Sequence, residues 1–258
     1  MEKQKIIIGN WKMSPKTPEE AKTIFQDIKK TAGKLSHVKT VICAPYIYQT
    51  ELKKLAKGEK FTVGSQDVSI ETEDAHTGEI SAEMLKNIGM EYVIIGHSER
   101  RAKGETSADL LKKITEVIKK DMTVILCVGE KERDEHGEYT KLIRAQILEV
   151  LQDFQKKNVG KLILAYEPVW AIGKNAQREA TKEDVQETTI FIRKVLRDLF
   201  DEKTAARIPL LYGGSVNQKN CAEYLIECGM DGLLVGRVSL QPEAFSKILT
   251  LANDIFKK

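Results

Sequence analysis

Three side chains of this 258-residue sequence stand where acid–base chemistry on a small anion is possible. Glu167 closes the apolar run LILAYE (162–167) and is followed by Pro168, which stops the run from passing smoothly into a helix. A carboxylate at a semi-apolar mouth can have its pKa raised and can take a proton from carbon. His97 closes YVIIGH (92–97) and precedes Ser98-Glu99-Arg100, which reads as the start of a short helix. Helical N–H groups aimed at an imidazole disfavour its cation and keep it neutral. Lys12 follows Asn10 with Trp11 between them, a position from which an ammonium can hold phosphate or a developing oxyanion. Gly213-Gly214-Ser215 and Gly236 let backbone N–H groups approach an anion with no side chain in the way. Singly, each has an ordinary reading: a loop glutamate, a hydrogen-bonded core histidine, a solvated lysine, a tight turn. Their placement on the surrounding elements is what sets them apart.

Short apolar, β-branched runs recur along the chain: KIIIGN (5–10), TVICAP (40–45), FTVGS (61–65), YVIIGH (92–97), TVILCVG (123–129), LILAYE (162–167), PLLYGG (209–214) and GLLVG (232–236). They are continuous rather than alternating in hydrophobicity, as strands covered on both faces are. Amphipathic stretches lie between them. TPEEAKTIFQDIKKTAG opens with Thr17 and Glu20 in a capping-box pattern. TKEDVQETTIFIRKVLRDLF places Val185, Ile192, Val195, Leu196 and Leu199 on one face, with Thr181 as N-cap. Strands and helices in strict alternation over this length predict an α/β fold, a (β/α)8 TIM barrel of eight parallel strands surrounded by helices. The open doubly wound alternative lacks its usual glycine-rich turn after the first strand, where the chain reads Gly-Asn-Trp-Lys-Met. No linker divides the chain, so residues 1–258 are expected to form a single domain. In a barrel the βα loops build the site. That rule gathers Asn10, Lys12, His97, Glu99, Glu167 and the two glycine turns at one mouth.

Bulk composition narrows the partners. With 41 basic and 38 acidic residues the net charge is +3, so no strong field calls for nucleic acid or a membrane surface. The doublets Lys29-Lys30, Lys53-Lys54, Lys119-Lys120 and Lys156-Lys157 fall near predicted helix ends, where they complement the dipole. Cys43, Cys127, Cys221 and Cys228 show no CxxC pair and no metal-like spacing, and Cys43 and Cys127 lie inside apolar runs. No apolar stretch approaches the length of a membrane span, and the N-terminal run is too short for a signal core. The expected compartment is the cytoplasm, with no membrane association.

The segments GNWKM (9–13), HTGEIS (76–81), IIGHSERR (94–101), CVGE (127–130), AYEPVWAIG (165–173), YGGSV (212–216) and DGLLVG (231–236) together resemble the triosephosphate isomerase family, in its order and near its spacing. The resemblance implies an aldose–ketose isomerase that interconverts dihydroxyacetone phosphate and glyceraldehyde 3-phosphate through an enediolate, without metal or organic cofactor. It implies Glu167 as the base and neutral His97 as the electrophile. Lys12 and Asn10 would stabilise the enediolate, and Glu99 would orient the site. Gly173, Ser215, Gly236 and Arg237 would hold the phosphate, chiefly by backbone N–H. Pro168-Val169-Trp170 followed by Ala171-Ile172-Gly173 resembles the hinge and tip of the family's closing lid. Glu130 would receive the Trp170 indole N–H in the open form, and Ile172 and Leu234 would clamp the substrate in the closed form. The loop around Thr77 resembles an arm that reaches a partner beside Lys12, which implies a homodimer. The sequence also departs from the family pattern. Lys174-Asn175-Ala176-Gln177-Arg178-Glu179-Ala180 is longer than the usual stretch before Thr181, and the loop after Arg101 is shorter. Arg237 and Asp74 each stand where glycine is common. An isomerase for a phosphorylated tetrulose and a non-catalytic phosphate-binding barrel are the alternatives.

Overall fold

The computed structural model describes residues 5–56, 58, 60–72, 75–134, 136–173, 176 and 178–257. Eight parallel strands close in chain order: β1 (Ile6–Asn10), β2 (Lys39–Ala44), β3 (Phe61–Ser65), β4 (Tyr92–Ile95), β5 (Thr123–Val128), β6 (Leu162–Tyr166), β7 (Leu210–Tyr212) and β8 (Gly232–Val235). The seam is a four-residue register running from Ile6↔Gly232 to Gly9↔Val235. Around the strands lie α1 (Pro18–Ala32), α2 (Tyr46–Leu55), α3 (Ala82–Asn87), α4 (Ser98–Arg101), α5 (Ser107–Lys119), α6 (Glu138–Leu151), α7 (Lys182–Phe200), α8 (Glu202–Ala205), α9 (Cys221–Ile226) and α10 (Pro242–Phe256). The predicted barrel is the observed one, with α4 and α8 as extra single turns.

Strand side chains alternate between two buried layers. Ile6, Ile8, Val41, Cys43, Ile163 and Ala165 belong to the cluster that fills the barrel. Their neighbours Ile7, Ile42, Leu162 and Leu164 join the larger cluster beneath the helices. Both faces are dry, which is why the runs read as continuous. Filling them with branched side chains removes a large apolar area from water at about 25 cal/mol per Å².

The helix starts show which local signals held. Thr181 caps α7 in a full capping box with Asp184, and Val185, Ile192, Val195 and Leu196 are buried, with Leu199 partly so. At α1 the box is only half made. Thr17 accepts the Glu20 N–H at 3.2 Å, but the Glu20 carboxylate takes the N–H of Lys16 rather than that of Thr17. Three lysine doublets end helices α1, α2 and α5; Lys156-Lys157 instead opens a 3-10 turn, Lys156–Lys161. Strands β4 and β6 stop short of His97 and Glu167. Gly96 turns the chain with φ +73°, while Glu167 lies one residue past β6 and its N–H still reaches Val128 O at 2.8 Å. Asp74, Lys174, Asn175 and Gln177 lie outside the described residues.

Candidate active site

The barrel's alternation aims most of the site. Asn10 continues the inward phase of Ile6 and Ile8, Glu167 that of Ile163 and Ala165, and Gly236 that of Leu234. His97 is off that phase; the left-handed Gly96 resets the chain and makes His97 the N-cap of α4. Together they open on a cavity of about 550 Å³ lined by Asn10, Lys12, His97, Glu167, Gly173 and Ser215 among others. Glu99, Gly236 and Arg237 line it too, so every residue placed at the mouth by the sequence meets here.

Glu167, only 3% exposed, spans two donors. Its Oε2 accepts the Ser98 N–H at 2.9 Å and its Oε1 lies 3.1 Å from His97 Nε2. His97 Nδ1 accepts the N–H of Glu99 at 3.1 Å, so the ring proton belongs on Nε2, facing the cavity. Helix α4 thus fixes the tautomer as well as the ring. Glu167 depends on glycine neighbours: a Cβ on Gly129 would collide with its carbonyl oxygen, and one on Gly213 would sit 3.0 Å from its Cγ. Beneath it, burial first and then the charge of Glu167 push the Cys127 thiol up, so it stays protonated.

Lys12 adopts φ +53°, an uncommon conformation for a side chain of its size. Two bonds hold it there. Its N–H donates to Asn10 Oδ1 at 3.1 Å, and its carbonyl accepts from Gln66 Nε2 at 2.9 Å. Gln66 also reaches Cys43 O at 2.9 Å, tying the turn after β1 to β2 and β3. The ammonium meets Glu99 Oε1 at 2.6 Å. Partial burial raises the Glu99 carboxyl, but Lys12 outweighs it and holds the group below its ordinary value.

On the other side Glu130 Oε1 accepts the Trp170 indole N–H at 2.7 Å and the Tyr166 hydroxyl at 2.9 Å. Burial, the largest influence, leaves the Glu130 carboxyl above its ordinary range despite these donors. Ser215 Oγ donates to Ala171 O at 3.0 Å, joining the seventh βα turn to Pro168–Gly173. Ile172 and Leu234 both border the cavity.

A family model described as triosephosphate isomerase matches residues 5–252. The chain belongs to the triosephosphate isomerase family. A triosephosphate isomerase of Dehalococcoides mccartyi is 42% identical over 258 residues, covering 99% of this chain and 100% of the relative. Triosephosphate isomerases of Dictyoglomus turgidum and Lactiplantibacillus plantarum are 38% and 37% identical, with 96% of this chain and 99% and 98% of those proteins covered. As a member of this isomerase family the chain is an enzyme, and its triosephosphate isomerase barrel is complete from β1 to β8. Within that barrel the residue-level reading missed Gln66. It directly follows β3, so the strand-end rule that found Asn10 would have reached it. The Ser98 N–H on Glu167 had no sequence signal, because a backbone donor is set by the turn and not by a residue type.

Proposed function

We propose that this isomerase interconverts dihydroxyacetone phosphate and glyceraldehyde 3-phosphate, with Glu167 as the base. The observation that carries the reading is the Glu167 carboxylate, buried and 3.1 Å from His97 Nε2 at the edge of a cavity bounded by glycine turns. Glu167 removes a proton from the carbon beside the carbonyl, and the bonding pair moves toward the carbonyl oxygen to give an enediolate. The Nε2–H of His97, the Lys12 ammonium and the Asn10 amide lie where they stabilise that charge, fixed before the reaction begins. Glu167 then returns the proton to the neighbouring carbon. His97 carries the proton that passes between the two oxygens, and Glu99 steadies Lys12. Gly173, Ser215, Gly236 and Arg237 bind the phosphate, and Pro168–Gly173 belongs to a lid that excludes water. No step requires a metal or organic cofactor.

The assembly in this reading is a homodimer. Met13 is 95% exposed and Ile47 is 79% exposed, with Thr77 also exposed. Met13 lies on the loop after β1, Ile47 in the first turn of α2 after β2, and Thr77 on the loop after β3; these strands are neighbours around the barrel, which supports one shared face beside Lys12. We place the protein in the cytoplasm as one 258-residue domain. Four free buried cysteines and the absence of a helix long and apolar enough to cross a membrane, among the described residues, support this placement.

A coupled assay from glyceraldehyde 3-phosphate, run beside erythrulose phosphate, tests the reaction. Turnover of the triose, abolished by Glu167→Gln, is the expected result. Preference for the tetrulose, or activity that survives Glu167→Gln, would overturn the assignment.

A further inference from the structure

Two guanidinium groups lie near the Trp170 ring. The Cζ of Arg178 lies 4.5 Å from the ring centroid and that of Arg133 lies 6.0 Å away, while the indole N–H is held by Glu130. Trp170 is in the stem of the segment that borders the cavity, and Arg178 lies beyond that segment's other end. Arg178 is itself anchored. Its Nη1 and Nη2 fork onto Asp184 Oδ2 and Oδ1 at 2.5 and 3.0 Å, and Nη1 also donates to Glu179 O at 3.1 Å. Asp184 sits in the first turn of α7, accepts the Thr181 N–H at 2.8 Å and pairs with Arg133 Nε at 3.3 Å. The flat cation therefore rests on the indole while its edge is fixed to a rigid helix start, an arrangement that suits arginine and not lysine.

We propose that Arg178 is a positioning residue, a latch that holds Trp170 and the lid stem in the withdrawn place seen here. The inference rests on the reading of Pro168–Gly173 as part of a lid. Ile172 and Gly173 line the cavity rim, and carrying them inward about Pro168 drags the indole off Glu130 and away from Arg178. In that movement the fork keeps Arg178 on α7 while the ring leaves it. A contact made in one of two states shifts their balance toward that state. Removing it favours closure over a bound anion.

The test uses the full chain labelled with 5-fluorotryptophan, whose two tryptophans are Trp11 and Trp170, titrated with 2-phosphoglycolate. Arg178→Met moves the ligand-free Trp170 fluorine signal toward its bound position. It also tightens 2-phosphoglycolate about two- to fivefold, the worth of one partly exposed cation–π contact. Arg178→Lys, which keeps a charge near the ring without the fork, falls between. A Met variant with unchanged or weaker binding, while the wild-type signal still moves on saturation, overturns the latch and leaves the lid reading standing. A wild-type Trp170 signal that ignores saturating 2-phosphoglycolate overturns both. Should Arg178→Met unfold, the Lys variant alone decides: a signal and Kd identical to wild type overturn the latch.

Discussion

As the proposed base, Glu167 must leave two donors, the Ser98 N–H and His97 Nε2, before its carboxylate can reach a substrate carbon. Reach is therefore its critical property. Glu167→Asp retracts the carboxylate by one methylene and is expected to lower kcat at least ~100-fold, the usual consequence of a displacement near 1 Å. Stopped-flow binding of 2-phosphoglycolate should change little, because the proposed phosphate contacts come from other loops. Lys12 poses a different problem, since its backbone is left-handed and its ammonium must still point inward. Gln66→Leu removes the bond that pins the Lys12 carbonyl together with the one to Cys43 O. The Lys12 bond, worth about 1–1.5 kcal/mol, predicts a roughly tenfold fall in kcat/KM. Lys12→Met, which deletes the charge itself, should cost about 10²–10³ in kcat. Equal losses in the two variants would show that Gln66 does more than hold the turn.

Helix α7 joins stability to the proposed lid. Its first turn holds a complete capping box, so Thr181→Ala should lower unfolding free energy by about 1 kcal/mol in urea titrations. Burial alone would raise the Asp184 carboxyl. The Arg178 fork, the Thr181 N–H and Arg133 outweigh it and hold the group at about 2, below the ordinary 3.8. The folded form thus binds this proton less readily than the unfolded chain. The resulting stabilisation is full above the ordinary value and is lost as pH falls through the folded one. In Arg178→Met the folded value rises toward 3.8, so the acid limb of the stability curve should be shallower over that interval. Urea midpoints measured across it check the sign; an unchanged slope would remove Arg178 from the set of groups that hold Asp184 ionised.

Across the whole molecule, the loops that carry the site are braced from outside the barrel. Lys113 of α5 is 3% exposed and reaches Asp67 Oδ1 at 2.6 Å and Glu105 Oε1 at 2.5 Å. Arg100 of α4 joins the same carboxylates at 2.7 and 3.2 Å. The helix that caps with His97 is thereby tied to the connection after β3. Lys113→Met leaves the two carboxylates with the half-exposed Arg100 as their shared cation and should cost about 3 kcal/mol, measurable as a shift of the urea midpoint. The proposed homodimer calls for a separate measurement. On that reading Thr77→Arg yields a monomer in sedimentation velocity with reduced kcat, because Met13 adjoins Lys12. A fully active monomer would separate the two.

The sequence alone determined the barrel and the residue types at its mouth, although β4 and β6 end before the apolar runs 92–97 and 162–167 do. Continuous apolar runs can only be buried on two sides, and Glu167, His97, Lys12 and Asn10 each follow one of them. It could not say which strand residues face the lumen, since both buried layers are apolar and a shift of one residue leaves the same hydrophobic string. Nor could it place His97, which depends on the left-handed turn at Gly96, or find the donors that set Glu167 on Ser98. Those are properties of backbone direction. The tertiary structure alone brought Gln66 to Lys12, Arg178 to Trp170 and Lys113 to Asp67. Such pairs are far apart in the chain or cross a turn, and only closure of the barrel fixes the distances on which their electrostatics depend.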